Sequence, residues 1–410
     1  MTDTPTVLDT INAKWYNTLA KELGLAESEF QLCQGETILP QNTDQLWDMM
    51  NQLPSDSVIQ YYTADPLVSF SSQYLSLLSF VQTPGNENFE TAMGSVNLTA
   101  WKAALKTFLQ NNPSAFGQPP AVLQATLQNL FQNWSMVEFD PGSNPAAGSA
   151  AQCFTLYCAM TENPIYVAQA LKSHLPVGGP AAFNQTYGQV LNDILAAPSE
   201  SFSMDSTQAS SDISQSWANS SSSTGGSYFY SKSSSSASSD FTQTFSSAAF
   251  SVAVAYDHFV TVPVLALQGE SVTDGGTTYL PWYYGAALAY AYNNNTAPVW
   301  TDPTQWTKLF GPEGSMQYVI TALLVADGVS TTTTSTQAFS AAEQAFAEQQ
   351  SNEGYGCWPY YVSNSSDKKT QTSTAFDSGS HLVVSTTSKT GNPLVVGVLV
   401  SSVKALVQKA

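Results

Sequence analysis

The feature that most constrains this chain is a change in the spacing of its apolar residues near residue 197. Before it, hydrophobic side chains recur every three to four residues, as on one face of a helix; after it they alternate with small polar ones, as on a strand. In the first part Leu8, Ile11, Trp15, Leu19 and Leu23 make one stripe. Trp101, Leu105, Phe108 and Leu109 make a second, and Leu123, Leu127, Leu130, Phe131 and Trp134 a third. Phe183, Tyr187, Val190, Leu191 and Ile194 complete the set. Residues 64–82 are apolar around most of a helical circumference, and Asp65 followed by Pro66 supplies a cap and a first-turn residue, so a buried helix is predicted there. In the second part Phe250, Val252, Val254 and Tyr256 share one face, and Val260, Val262 and Val264 repeat the pattern past a bend at Asp257 and His258. Residues 381–388 and 393–403 read as a hairpin turning through Lys389, Thr390, Gly391 and Asn392, and Leu394 to Val400, apolar on both faces, belongs inside a sheet. Residues 336–350 read as the one helix of this half. The fold predicted is α+β: an all-α domain over residues 1–197, then an antiparallel β-sandwich over residues 198–410.

Between the two lies a long Ser-rich excursion of the second domain. From Ser201 to Phe250, 21 of 50 residues are Ser, the charged residues are Asp205, Asp212, Lys232 and Asp240, and Gly225 and Gly226 mark a bend near the middle. Three readings compete. A segment this poor in apolar side chains reads as a flexible linker. It also reads as two long surface strands around the Gly-Gly bend, anchored by Phe202, Met204, Phe241, Phe245 and Phe250. Finally, uncharged hydroxyl-rich strands are soluble before insertion and compatible with a closed barrel after it. In that composition the fifty residues resemble the insertion segments of β-pore-forming toxins. The resemblance implies an element that oligomerises and enters a bilayer.

Composition narrows the partners. Charged residues are only 10% of the chain, acidic ones outnumber basic 31 to 12, and every basic residue is Lys. Without Arg and at net charge −19, a chain lacks the forked donor that grips phosphate and base edges, so nucleic acid and strongly anionic lipid are excluded as partners. Cys33, Cys153, Cys158 and Cys357 have no metal-like spacing; Cys153 and Cys158, five apart on a helix, point away from each other, so free thiols are expected. His174, His258 and His381 have no second ligand at helical or hairpin spacing, and no nucleophile elbow, P-loop or dinucleotide fingerprint occurs. No catalytic residue, metal site or cofactor is therefore assigned. Acidic pairs such as Glu138 and Asp140 keep open an unrecognised carboxylate-based hydrolase. The first residues lack a basic start followed by an apolar core, and no apolar run reaches eighteen residues, so synthesis as a soluble cytoplasmic protein, with a non-classical route if it is released, is the expectation.

Two aromatic clusters are the candidate binding residues: Trp282, Tyr283 and Tyr284 beside Pro281 and Gly285, and Trp358, Tyr360 and Tyr361 beside Gly356 and Pro359. Flat rings on Gly/Pro-bounded loops stack on sugars or anchor at a bilayer surface, and the same rings also serve as core filling. The function expected is a non-enzymatic, membrane- or surface-directed protein of the toxin or effector type, acting as a homo-oligomer. The alternative is a structural or glycan-binding module of a homo-oligomeric assembly.

Overall fold

The computed structural model describes residues 24–25, 29–33, 37–54, 62, 64–83, 85–143, 148–175, 181–205, 240, 244, 250–296, 299–352 and 370–409. In chain order the elements begin with strand β1 (Phe30–Leu32), helix α1 (Thr43–Met50), strands β2 (Gln52–Pro54) and β3 (Ala64–Ser69), and helices α2 (Phe70–Phe80) and α3 (Asn86–Asn111). Helices α4 (Pro120–Glu138), α5 (Ala150–Thr161), α6 (Pro164–His174) and α7 (Tyr187–Ala196) follow. Then come strands β4 (Glu200–Asp205), β5 (Phe250–Pro263), β6 (Val272–Asp274) and β7 (Thr277–Tyr279) and helices α8 (Gly285–Asn293) and α9 (Thr304–Phe310). The chain continues through β8 (Tyr318–Ala338), α10 (Ala341–Asn352), β9 (Thr370–Phe376), β10 (His381–Ser388), β11 (Leu394–Ser402) and α11 (Val403–Lys409). The protein is α+β, and the change of apolar period coincides with the step from α7 to β4.

The helices start where side chains can satisfy their orphan amides. Asn42, Ser149 and Asn163 each accept a backbone N–H from the first turn of α1, α5 and α6, and Thr186 with Gln189 forms a reciprocal box at α7. The stripes read from sequence are buried: Trp101, Leu105 and Leu109 on α3; Leu123, Leu127, Phe131 and Trp134 on α4; Val190 and Ile194 on α7. The stripe from Leu8 to Leu23 lies outside the described residues.

Two expectations for this half are corrected. Residues 64–69 are not helix but strand β3, paired with β2, and α2 begins only at Phe70. Ser69 takes over the cap because it and Ser72 satisfy each other's backbone N–H, while the residues before it pair with β2. Phe183 is likewise not helical; it makes an isolated bridge with Ala266.

Seven strands form one antiparallel sheet built around β8. On one edge β8 pairs with β5 from Pro263↔Ala322 to Phe250↔Ser335, and β4 lies beyond β5. On its other edge it pairs first with β11, from Ser402↔Tyr318 to Leu394↔Ala326, and then with β10, from Thr387↔Ser330 to His381↔Ala338. Strand β1 closes the edge beyond β11, and β9 the edge beyond β10. The remaining described strands make two two-stranded ribbons, so a second large sheet of the kind a sandwich needs is not among the described residues. Helices cover the sheet instead: α7 packs on β5, α11 on β11 and α10 on β9. A contiguous cluster of buried hydrophobics takes in residues of α1 to α8 and the halves of β5, β8 and β11 nearest them.

The predicted hairpin between residues 381–388 and 393–403 is also corrected. Strands β10 and β11 run in the same direction, end to end along one edge of β8. The reason is Asp327. Its buried carboxylate accepts the backbone N–H groups of Gly391 (2.7 Å) and Asn392 (3.0 Å), while Ser388 Oγ accepts that of Val329 (2.8 Å). A carboxylate receiving two backbone donors makes the stronger, charge-assisted kind of bond and holds the break between the strands in place. Across β8 the ladder with β5 keeps its register but omits the Asp257–Gly328 pair at the same level, where Gly328 has φ +63° and a Cβ would collide with the Asp257 carboxylate. Thr390 Oγ1 donates to that carboxylate at 2.7 Å. Asp257 and His258 accordingly lie within the continuous strand β5 and not in a bend between two strands. Strand β11, between β1 and β8, is buried over Leu394–Val398 as its two apolar faces require. Residues 341–352 form the helix read from sequence, but Gly285–Asn293, where Leu288, Tyr290 and Tyr292 alternate with alanines, is a helix as well.

Two glycines with positive φ give a contrast. Gly391, φ +87° in open space, should cost about 1–2 kcal/mol on replacement by Ala for the left-handed backbone alone. Gly328→Ala adds a steric conflict with Asp257, so its denaturant midpoint should fall further than that of Gly391→Ala; equal midpoints would remove the conflict from the account.

Candidate functional site

Trp282, Tyr283 and Tyr284 occupy the segment between β7 and α8. Trp282 is 4% exposed. Its indole Nε1 donates to the Ala182 carbonyl at 2.6 Å, and its ring packs against Phe70, Tyr74 and Phe183 at centroid distances of 5.8, 5.9 and 6.2 Å. Tyr284 is also buried. Its backbone N–H donates to the Tyr74 hydroxyl at 3.1 Å, and that hydroxyl donates to the Tyr284 carbonyl at 3.2 Å, so one phenol closes both ends of a buried peptide unit. Neither ring offers a free face on which a sugar could stack. Both rings bind the helical half to the sheet half. Trp358, Tyr360 and Tyr361 lie outside the described residues.

Tyr283 differs: it is half-buried and lines a cavity of about 270 Å³ between α1, β2, α2, β8, α11 and the segment that follows β5. Phe70, Phe183, Val264 and Ile320 supply much of its wall, and its polar residues are Gln52, Gln268, Tyr283 and Thr321. Among the described residues no Asp, Glu, Lys or His lines it. Gln52 Oε1 accepts from Tyr62 Oη (2.6 Å), Gln268 Oε1 from the Gly285 N–H (3.2 Å), and Thr321 Oγ1 donates to the Leu399 carbonyl (3.3 Å). The amide nitrogens of both glutamines and the Tyr283 hydroxyl have no hydrogen-bond partner among the described residues. Burial pushes the Tyr283 phenol well above its ordinary range, so it remains a donor throughout the neutral region. Gln52 lies more than two hundred positions before Gln268, Tyr283 and Thr321, and no linear motif could have grouped it with them; Gly285 beside Tyr283 is the one local hint.

Other candidate chemistry resolves into structure. His258 Nδ1 sits 2.8 Å from the Ala197 carbonyl, while Asp257 is held by Thr390, so the adjacent pair does separate jobs. Asp377 accepts the backbone N–H groups of Gly379 and His381, closing the turn between β9 and β10, and its carboxyl lies below the usual range because of those His381 and Gly379 bonds. Burial pushes the Cys33 thiol up to about 12, which removes it as a nucleophile; Cys153 and Cys158 are free on α5, and Cys357 lies outside the described residues. Among the described residues no three His, Cys, Asp or Glu side chains converge as a metal site.

The second feature that bears on function is the end of the sheet farthest from the helical core. There β8 reads Ser-Thr-Thr-Thr-Thr-Ser-Thr from Ser330 to Thr336, and β9 and β10 are similarly rich in hydroxyls. On β5, Val254 and Tyr256 are buried whereas Ser251, Ala253 and Ala255 are exposed. Phe202 and Met204 lie on β4 opposite Val254 and Val252, and Phe250 begins β5 opposite Ser335. Phe241 and Phe245 lie outside the described residues, as does most of the Ser-rich stretch; Thr244 donates to Glu343 on α10. No helix among the described residues is long and apolar enough to cross a membrane. Compared with protein-family models, with curated proteins and with solved structures, the chain matches none.

Because Trp282 and Tyr74 are structural ties, their removal should show in stability. Trp282→Ala should cost about 3–5 kcal/mol, and Tyr74→Phe, which strands a buried N–H and carbonyl, about 1–3 kcal/mol. Urea unfolding followed by tryptophan fluorescence reads both; near-zero losses would return these rings to the surface.

Proposed function

We propose that this is a non-enzymatic, membrane- or surface-directed protein of the toxin or effector type, made in soluble form, whose hydroxyl-rich sheet end and Ser-rich segment meet lipid and neighbouring copies of the chain. One observation carries the reading: the Ser-rich segment joins the adjacent ends of two strands that are already paired, with Asp205 opposite Ser251. Partners in this ladder sum to 456 (205 + 251). Asp240 and Thr244, the described residues between these two strands, are helical in the free chain; in an inserted state that continued the register outward, the tip would fall at residue 228, two positions from Gly226, with arms of 22 residues (206–227 and 229–250). At about 3.3 Å per residue each arm reaches roughly 70 Å, against the 9–11 residues that about suffice for one transmembrane strand.

The same register sorts the side chains. Ile213, Trp217, Phe241 and Phe245 all carry odd numbers and would share the face of Ser251, Ala253 and Ala255, the exposed face of β5. The opposite face would be mostly Ser, Thr, Gln, Asp and Ala, with Lys232, Tyr228 and Tyr230 near the tip and Phe250 at the base. An apolar outer face of large residues set among small ones, backed by a polar inner face, is the pattern a lipid-embedded barrel strand requires. The almost uncharged composition keeps the cost of that transfer low, since Asp212, Lys232 and Asp240 are the ionisable groups between the two paired ends.

Release of a trapped dye from neutral phosphatidylcholine vesicles tests the reading. The protein should empty vesicles over a range of pH, and Trp217→Asp with Phe241→Asp should abolish release while leaving the unfolding midpoint in solution unchanged. Intact vesicles in the presence of folded, lipid-associated protein would end the proposal for pore formation.

A further inference from the structure

The cavity beside Tyr283 is independent of the Ser-rich segment, and its chemistry is distinct. Its walls are apolar, and its volume of about 270 Å³ is nearly twice that of the dry cavity, about 150 Å³, known to take up benzene. Its polar groups are few and gathered: a Cβ built on Gly285 would stand 3.5 Å from the Tyr283 hydroxyl and 3.6 Å from Gln268 Oε1, so both side chains meet at one corner. The oxygen of Gln268 is already used by the Gly285 N–H and that of Gln52 by Tyr62, which leaves the two amide nitrogens and the phenol as donors; Gln268 is exposed and Gln52 and Tyr283 are half-buried, so these donors stay within reach of water. Leu265, one of the lining residues, is 56% exposed, so the cavity reaches the surface there.

The geometry points to a binding site for a small neutral molecule with an apolar body of one or two rings and a single oxygen, the oxygen held by Tyr283 Oη and the Gln268 amide. Donors beside an otherwise apolar wall give such a ligand its orientation, and the apolar area it buries gives it its affinity. The same enclosure selects against carboxylates and phosphates of equal shape. Those would leave water for a cavity with no cation to receive them. Pockets of this kind, apolar with a few convergent polar groups, are where small-molecule recognition concentrates.

Three probes of one shape decide the matter: naphthalene, 2-naphthol and 2-naphthoate, titrated into the full chain and followed by calorimetry. The expected order is 2-naphthol tightest, naphthalene weaker, and 2-naphthoate without measurable uptake. Tyr283→Phe should weaken 2-naphthol about five- to tenfold and leave naphthalene nearly unchanged. Ala266→Leu, which fills the cavity, should abolish uptake of both. The unfolding midpoint of each variant, measured alongside, shows that the fold persists, and Tyr283→Phe changes only one atom. Failure of the wild-type chain to take up naphthalene or 2-naphthol overturns the inference, as does 2-naphthol binding that is indifferent to both substitutions.

Discussion

The arrangement of this protein depends on where one long strand is allowed to change partners. Strand β8 is 21 residues long, about four times the length of a common strand, and it carries β5 along one edge and two strands in succession along the other. The Asp327 carboxylate fixes the changeover by taking the N–H groups of Gly391 and Asn392 out of any ladder. Gly328 beside it turns the backbone through a conformation that side-chain-bearing residues resist, in the space left by Asp257. On one side of this node the sheet is aliphatic; on the other, Ser and Thr are frequent on β8, β9 and β10, while Val254, Tyr256, Leu382 and Val384 are buried and α10 packs on β9.

Much of this was legible in the residues and some was not. Helices whose apolar faces repeat cleanly, such as α4 with Leu123, Leu127, Phe131 and Trp134, were placed by spacing alone. So was the two-sided burial of Leu394 to Val400. The errors share a cause. At residues 64–69 local cap chemistry competed with a strand partner ten residues earlier, and at residues 389–393 a turn-like sequence was captured by an aspartate sixty residues upstream. At Gly285–Asn293, alternating alanines and tyrosines fit either period, and packing against α6 decided. Each outcome was set by a contact distant in sequence, which no window can display.

The functional residues follow the same rule. The aromatic cluster Trp282 to Tyr284 was visible, but its division of labour was not: two rings tie the helices to the sheet, and the third faces a cavity whose other walls come from Gln52, Phe183, Ile320 and Leu406. A residue type on a loop signals that something binds it; only the surroundings say whether that something is another part of the chain. The low charge of the protein serves both readings proposed above, since an enclosure without cations and strands without ions are each suited to partners of low polarity.

The edge closed by β1 has one further consequence. Phe30 stands opposite Leu399, a separation of 369 positions (399 − 30), so the pairing of β1 with β11 cannot form until residue 399 has left the ribosome. A contact of that range is slow to form and leaves a sheet edge unsatisfied meanwhile. Emerging from synthesis, the helical half must stand on its own packing before β1 meets β11.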